Sequence, residues 1–114
     1  MILPFPPSLN HYWRMARGRF YISPAGVAYR KEVCALAARW RIQPMGGPLE
    51  IEIVAVLPDK RRRDCDNMLK AVLDAMQHAG FYFDDSQIVK LSIEKRHKTA
   101  NEEACLIITM GGKP

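Results

Sequence analysis

The chain has 114 residues, 48% of them hydrophobic and 25% charged, with a formal net charge of +5. That length predicts one domain over residues 1–114, and that composition predicts a packed core rather than disorder. No apolar run reaches the ~20 residues of a membrane helix, and the start MILPFPPSLN has neither the basic nor the long apolar region of a signal peptide.

Three widely spaced cysteines, Cys34, Cys65 and Cys105, fit neither a disulfide framework nor a zinc pattern. They point to a reducing, cytoplasmic setting. His11, His78 and His97 have no ligand spacing and read as structural or surface residues. Charge is uneven along the chain. Residues 1–49 carry seven basic side chains and one acid, a net of +6, against −1 for the rest. A basic half beside a mixed half predicts a polyanionic partner, although ordinary solubility would produce the same pattern.

In chain order, residues 1–22 read as irregular or weakly stranded, because Pro4, Pro6 and Pro7 restrict the backbone. RMARGRFYIS (14–23) reads as an exposed loop or hairpin. Ser23-Pro24 predicts a helix start, with Ser as N-cap and Pro at the first helical position. Tyr29, Val33, Leu36, Ala37 and Trp40 then recur at helical spacing, and Pro44 and Gly46-Gly47 end the helix. LEIEIVAVL (49–57) is a central strand stopped by Pro58. A second helix follows over roughly 66–79, with Leu69, Val72, Leu73 and Met76 on its apolar face and Gly80 after its end. Strands at 88–96 and 104–110 complete an α+β domain, a small mixed sheet covered by two helices. Trp13, Trp40 and the methionines read as core residues and gap fillers.

The chemistry gathers at RRRDCDNMLK (61–70). Asp64 and Asp66 lie where a strand gives way to a helix, and a second pair, Asp84 and Asp85, lies on the connection back to the sheet. If both loops open on one edge of the sheet, the acids converge on an oxygen-ligand site that suits Mg²⁺, with Mn²⁺ as a substitute. Such an ion polarises a phosphate and activates water. Lys70, one turn after Asp66, could steady the developing charge. Lys60, Arg61, Arg62 and Arg63 would hold the phosphate backbone. Arg14, Arg17 and Arg19 would extend that contact, and Phe20 and Tyr21 could stack on unpaired bases. A plainer reading stands beside this one. Asp66 could be an N-cap, Asp64 could pair with an arginine, Asp84-Asp85 could be a turn, and Lys70 could be a solvated partner of Asp66.

Four segments, LPFPPSLNHYWR, SPAGVAYRKEV, LPDKRRRDCDNMLKAVLDAM and AGFYFDDSQIVKL, resemble the RusA Holliday-junction resolvases over residues 3–96 and more loosely to 110. The resemblance implies a small homodimeric endonuclease, common in prophages, that nicks opposing strands of four-way DNA junctions with Mg²⁺. It implies Asp64, Asp66 and Asp85 as metal ligands, Lys70 as the catalytic lysine, Asp84 as an accessory acid, and the preceding basic run as a junction contact. Cys65 stands at a position that varies in the family. A module that binds branched or single-stranded DNA without cutting it is the alternative, and a nuclease for forks or flaps is a third reading. The junction substrate and the dimer rest on the resemblance alone.

Overall fold

The computed structural model describes residues 1–8 and 12–114; His11 lies outside them. Ser23 caps the first helix, α1 (Pro24–Arg39), by accepting a hydrogen bond from the Gly26 amide at 3.0 Å. Tyr29, Val33 and Ala37 are buried along its inner face. The helix stops earlier than Pro44 and the glycine pair suggest. Arg41 takes a left-handed conformation (φ 54°), and the Arg41 and Ile42 amides turn back to Ala38 and Ala37. This is a Schellman turn that uses arginine where glycine is usual. Trp40 therefore falls on the cap rather than on the buried stripe, and it is exposed.

Among the described residues six strands accompany the helices: β1 (Ile2–Pro4), β2 (Trp13–Ala16), β3 (Arg19–Ile22), β4 (Leu49–Leu57), β5 (Ile88–His97) and β6 (Cys105–Gly112). The main sheet runs β1-β6-β4-β5, with β4 and β5 parallel and the other pairs antiparallel. The expectation of a mixed sheet with two helices and a central β4 therefore holds. The odd residues of β4, Leu49 through Leu57, are buried, and α2 (Cys65–His78) lays Met68, Ala71, Val72, Ala75 and Met76 over that face. Gly80 (φ 86°) closes α2 as the C′ residue.

The β4-α2-β5 crossover corrects one expectation. Leu49 pairs with Ile88, and Leu57 with His97. Asp64 and Asp66 thus follow the C-terminal end of β4, whereas Asp84 and Asp85 precede the N-terminal end of β5. The two acid pairs sit at opposite ends of the sheet, because parallel strands need a crossover that runs back along their whole length.

α2 leaves the outer edge of that sheet uncovered. Leu91 and Ile93 pair with Ile51 and Ile53 and so share the helix-facing side, yet Leu91 is 39% exposed. β2 and β3 form a separate two-stranded hairpin around Arg17-Gly18, both at positive φ. That is the type I′ geometry that matches strand twist. The expected exposed hairpin is present.

Candidate active site

Asp64 occupies the N-cap position of α2 in an extended conformation, but its side chain makes no capping hydrogen bond. It faces a hollow of about 220 Å³ bounded by Phe5, Arg62, Arg63 and Asn67. Among the described residues it has no ion-pair partner: Arg61 and Arg63 turn to Asp59 instead. Asp66 lies in the first turn of α2, where the helix dipole favours a carboxylate. The expected alternatives, Asp66 as the cap and Asp64 as an arginine's partner, are thus not what the fold uses.

A groove of about 450 Å³ opens between α2 and β5, beside the hairpin base. Asp66, Lys70 and Asp85 line it together with Trp13, Leu69, Leu73 and Leu91. The groove gathers one member of each acid pair with the lysine. Asp64 and Asp84 lie outside it.

The second pair divides its work. Asp84 caps the short 3₁₀ turn at Asp85–Gln87, accepting from the Ser86 amide at 2.8 Å. That backbone bond holds its carboxyl below the usual carboxylate range. Gln87 completes the box. Its Oε1 accepts from the Phe83 and Asp84 amides, and its Nε2 donates to the Met45 and Gly47 carbonyls. The DD-x-Q pattern is therefore partly a structural device, which leaves Asp85 aimed at the groove.

The Asp85 amide donates to Gln77 Oε1 at 3.1 Å, and its Oδ1 lies 2.8 Å from the Tyr82 hydroxyl. Desolvation raises the Asp85 carboxyl above its ordinary value. The Tyr82 bond opposes the rise, and the charges of Asp84 and Asp74 add to it. Tyr82 was not foreseen from the sequence; it is buried, and its hydroxyl also reaches the Leu73 carbonyl at 2.8 Å. Trp13, expected in the core, is instead half-buried at the groove, with the Arg30 guanidinium 5.7 Å from its ring centre.

The basic run also divides. Arg63 forks onto Asp59, lies 5.4 Å over the Phe5 ring, and accepts a bond from Lys95 Nζ on its carbonyl. Lys60, Arg61 and Arg62 are exposed. Arg14, Arg17 and Arg19 are exposed on the hairpin, without an ion pair among the described residues.

The donor set is all oxygen, which fits a hard divalent cation rather than a soft one. Yet among the described residues no three Asp, Glu, His or Cys side chains converge on one point. Asp66 and Asp85 share the groove, and no third such side chain joins them there among the described residues.

The profile of the endodeoxyribonuclease RusA family matches residues 4–110. The chain is 46% identical over 87 residues to the crossover junction endodeoxyribonuclease rusA of Enterobacteria phage HK97, covering 75% of this chain and 72% of that one. It is 40% identical over 111 residues to crossover junction endodeoxyribonuclease RusA of Escherichia coli K12, covering 96% and 92%. It is 41% identical over the same length to the corresponding enzyme of Enterobacteria phage 82. With a family match over nearly its whole length and the RRRD-x-DN-x-x-K and DD-x-Q segments built around one groove, this chain belongs to the RusA endodeoxyribonuclease family.

Proposed function

We propose that this protein is a single-domain, metal-dependent endonuclease that resolves four-way DNA junctions in the cytoplasm by paired nicks in opposing strands, in recombination and repair. The observation that carries the reading is the shared groove. Asp66, Lys70 and Asp85 open into it, in a chain whose relatives are crossover junction endodeoxyribonucleases.

The proposed ion is Mg²⁺, with Mn²⁺ as a substitute; when bound it supplies a Lewis acid for the phosphate and lowers the pKa of its water. Asp64, Asp66 and Asp85 would hold it, their oxygens completed by water and phosphate oxygens. Lys70 would place its ammonium against the phosphate as negative charge builds on it. Lys60, Arg61 and Arg62 would fix the strand by its backbone, and Arg14, Arg17 and Arg19 would extend that grip. Asp84 and Arg63 would act behind this layer, the first holding the turn that carries Asp85, the second shaping the loop before Asp64.

The protein would act as a homodimer. Two copies about a two-fold axis present two sites to two symmetry-related strands. They can also set the Asp64–Asp66 end of one chain against the Asp85 end of the other, adding carboxylates to a groove that in one chain is lined by Asp66 and Asp85 without a third acid among the described residues.

The direct test is nicking of a synthetic four-way junction beside a linear duplex of the same sequence, with Mg²⁺, with chelator, and with Asp66→Asn protein. Paired, metal-dependent nicks on the junction alone, abolished by the substitution, are expected. Tight junction binding with no metal-dependent cut would leave a DNA-binding module instead.

A further inference from the structure

The hairpin has two unlike faces. In its ladder Trp13 pairs with Ile22 and Met15 with Phe20, while Arg14 pairs with Tyr21 and Ala16 with Arg19. Alternate pairs share a face. One face is therefore wholly apolar: Trp13, Ile22, Met15 and Phe20. The other carries Arg14, Tyr21 and Arg19, and Arg17 sits at the tip.

The apolar face starts at the groove and runs out into solvent. Trp13 lines the groove with Asp66, Lys70 and Asp85. The Met15–Phe20 pair lies one step outward, about 7 Å along the strands. There Met15 is 65% exposed, although methionine reads as a gap filler in the sequence, and Phe20 is 74% exposed. The base of the hairpin is fixed. The Ser23 amide bonds the Tyr12 carbonyl at 2.9 Å, and a Cβ on Gly26 would come within 2.6 Å of that same carbonyl and of Ile22. A rigid foot thus holds a bare aromatic tip.

The charge around that tip selects its occupant. Arg14 and Arg19 stand on the opposite face of the hairpin and Arg17 at its turn, with no acidic partner among the described residues. A second copy placed tip to tip would bring six guanidinium groups together. A polyanion with unstacked bases satisfies both parts: phosphates take the arginines, and a base takes the ring.

We propose that the Met15–Phe20 face is a wedge that enters the DNA crossover, with Phe20 stacking on a base opened there and Met15 backing it. The wedge rests on the junction-nuclease reading, and it gives that reading a source of branch selectivity. Linear duplex offers no unpaired base to the ring, so the wedge rewards only the branched substrate.

The test uses the full-length protein in chelator, so that binding is read without cleavage. Four-way junctions carry 2-aminopurine at the crossover, in each arm in turn. Wild-type protein is expected to raise the fluorescence in at least one arm. Phe20→Ala should lose that rise and lower the junction-over-duplex affinity ratio about tenfold, with duplex affinity unchanged, and Phe20→Trp should restore the ratio. Phe20 is exposed, so these variants should keep the wild-type melting temperature. A Phe20→Ala protein that keeps both the fluorescence rise and the junction preference overturns the wedge. So does one that becomes a monomer by light scattering, since the ring then serves a second copy. The two readings fail separately. Wild-type protein that shows the Phe20-dependent rise yet never nicks with Mg²⁺ keeps the wedge and loses the nuclease. Wild-type protein that nicks junctions with no contribution from Phe20 does the reverse.

Discussion

Arg30 clamps Asp74 through two parallel hydrogen bonds, Nε to Oδ2 at 2.9 Å and Nη2 to Oδ1 at 3.0 Å, and so ties α1 to α2 beside the groove. The Tyr12 hydroxyl donates to the same carboxylate. Burial, and then the Asp74 carboxylate, push the Tyr12 phenol above its ordinary value, so it remains a donor well into the alkaline range. Asp74 is i+8 from Asp66, on the same side of α2 as Lys70, but it belongs to this brace and not to the groove. Asp74→Ala strands a half-buried guanidinium and a buried phenol. It should cost about 1–2 kcal/mol, read as a fall of roughly 5–10 °C in Tm. An unchanged Tm would show that water replaces the carboxylate at no cost.

Asp85 gives a pH signature. Its carboxyl titrates above its ordinary value, chiefly through desolvation, so between those two pH values the folded chain binds more protons than the unfolded one. Stability therefore falls as pH rises through that window. Asp85→Asn removes this cost and can still accept from Tyr82. The variant should melt higher than wild type at pH 7, and the gap should close below the ordinary carboxylate range. It should also lose metal-dependent nicking, whereas wild-type nicking should climb with pH as Asp85 ionises. An Asn variant that melts lower than wild type at pH 7 would reverse the sign of this argument.

Two arginines of the basic run, Arg62 and Arg63, should separate in a salt titration. Arg62 is exposed, whereas Arg63 is committed to Asp59, whose carboxyl it holds down to about 2. Arg62→Ala should weaken binding to all DNA and flatten the log K against log salt slope by about one. Arg63→Ala should leave that slope nearly intact and lower Tm instead, because Asp59 and the Phe5 ring lose their partner. Equal slope changes in both variants would mean that Arg63 leaves Asp59 for phosphate.

Where the sequence was legible, a local rule sufficed. Ser23-Pro24 and Gly80 mark helix ends through cap chemistry, and the LEIEIVAVL alternation marks the strand that β5 and β6 flank. The failures needed partners distant in the chain. Nothing near Arg41 signals a left-handed residue. Trp13 alternates like a core residue, and only the α2–β5 gap makes it a groove wall. The same holds for the acids. Their types and spacings were readable at Asp64, Asp66, Asp84 and Asp85, but their placement depends on β5 running parallel to β4, which local patterning does not encode. Tyr82, one apolar letter in GFYFDD, gained its place beside Asp85 only through the turn that Asp84 and Gln87 close.

That separation of the acids makes a complementation test decisive. Asp66 and Asp85 line one groove but belong to different ends of the β4-α2-β5 unit, and no described trio of ligands forms within one chain. If an ion takes Asp66 from one protomer and Asp85 from its partner, Asp66→Asn and Asp85→Asn homodimers each contain two broken sites. A mixed dimer contains one doubly broken site and one intact site. Random mixing would then make half of the dimers mixed and restore about a quarter of the wild-type sites. The restored activity should appear as single nicks, because each mixed dimer cuts one strand only. If each site lies within one chain, every site in the mixed dimer carries one substitution and no activity returns. The expected outcome is recovery of single nicking on mixing two inactive proteins after brief denaturation and refolding together. A mixture as inactive as its parents, with mixed dimers confirmed by differently tagged subunits, would place each ion site within a single protomer.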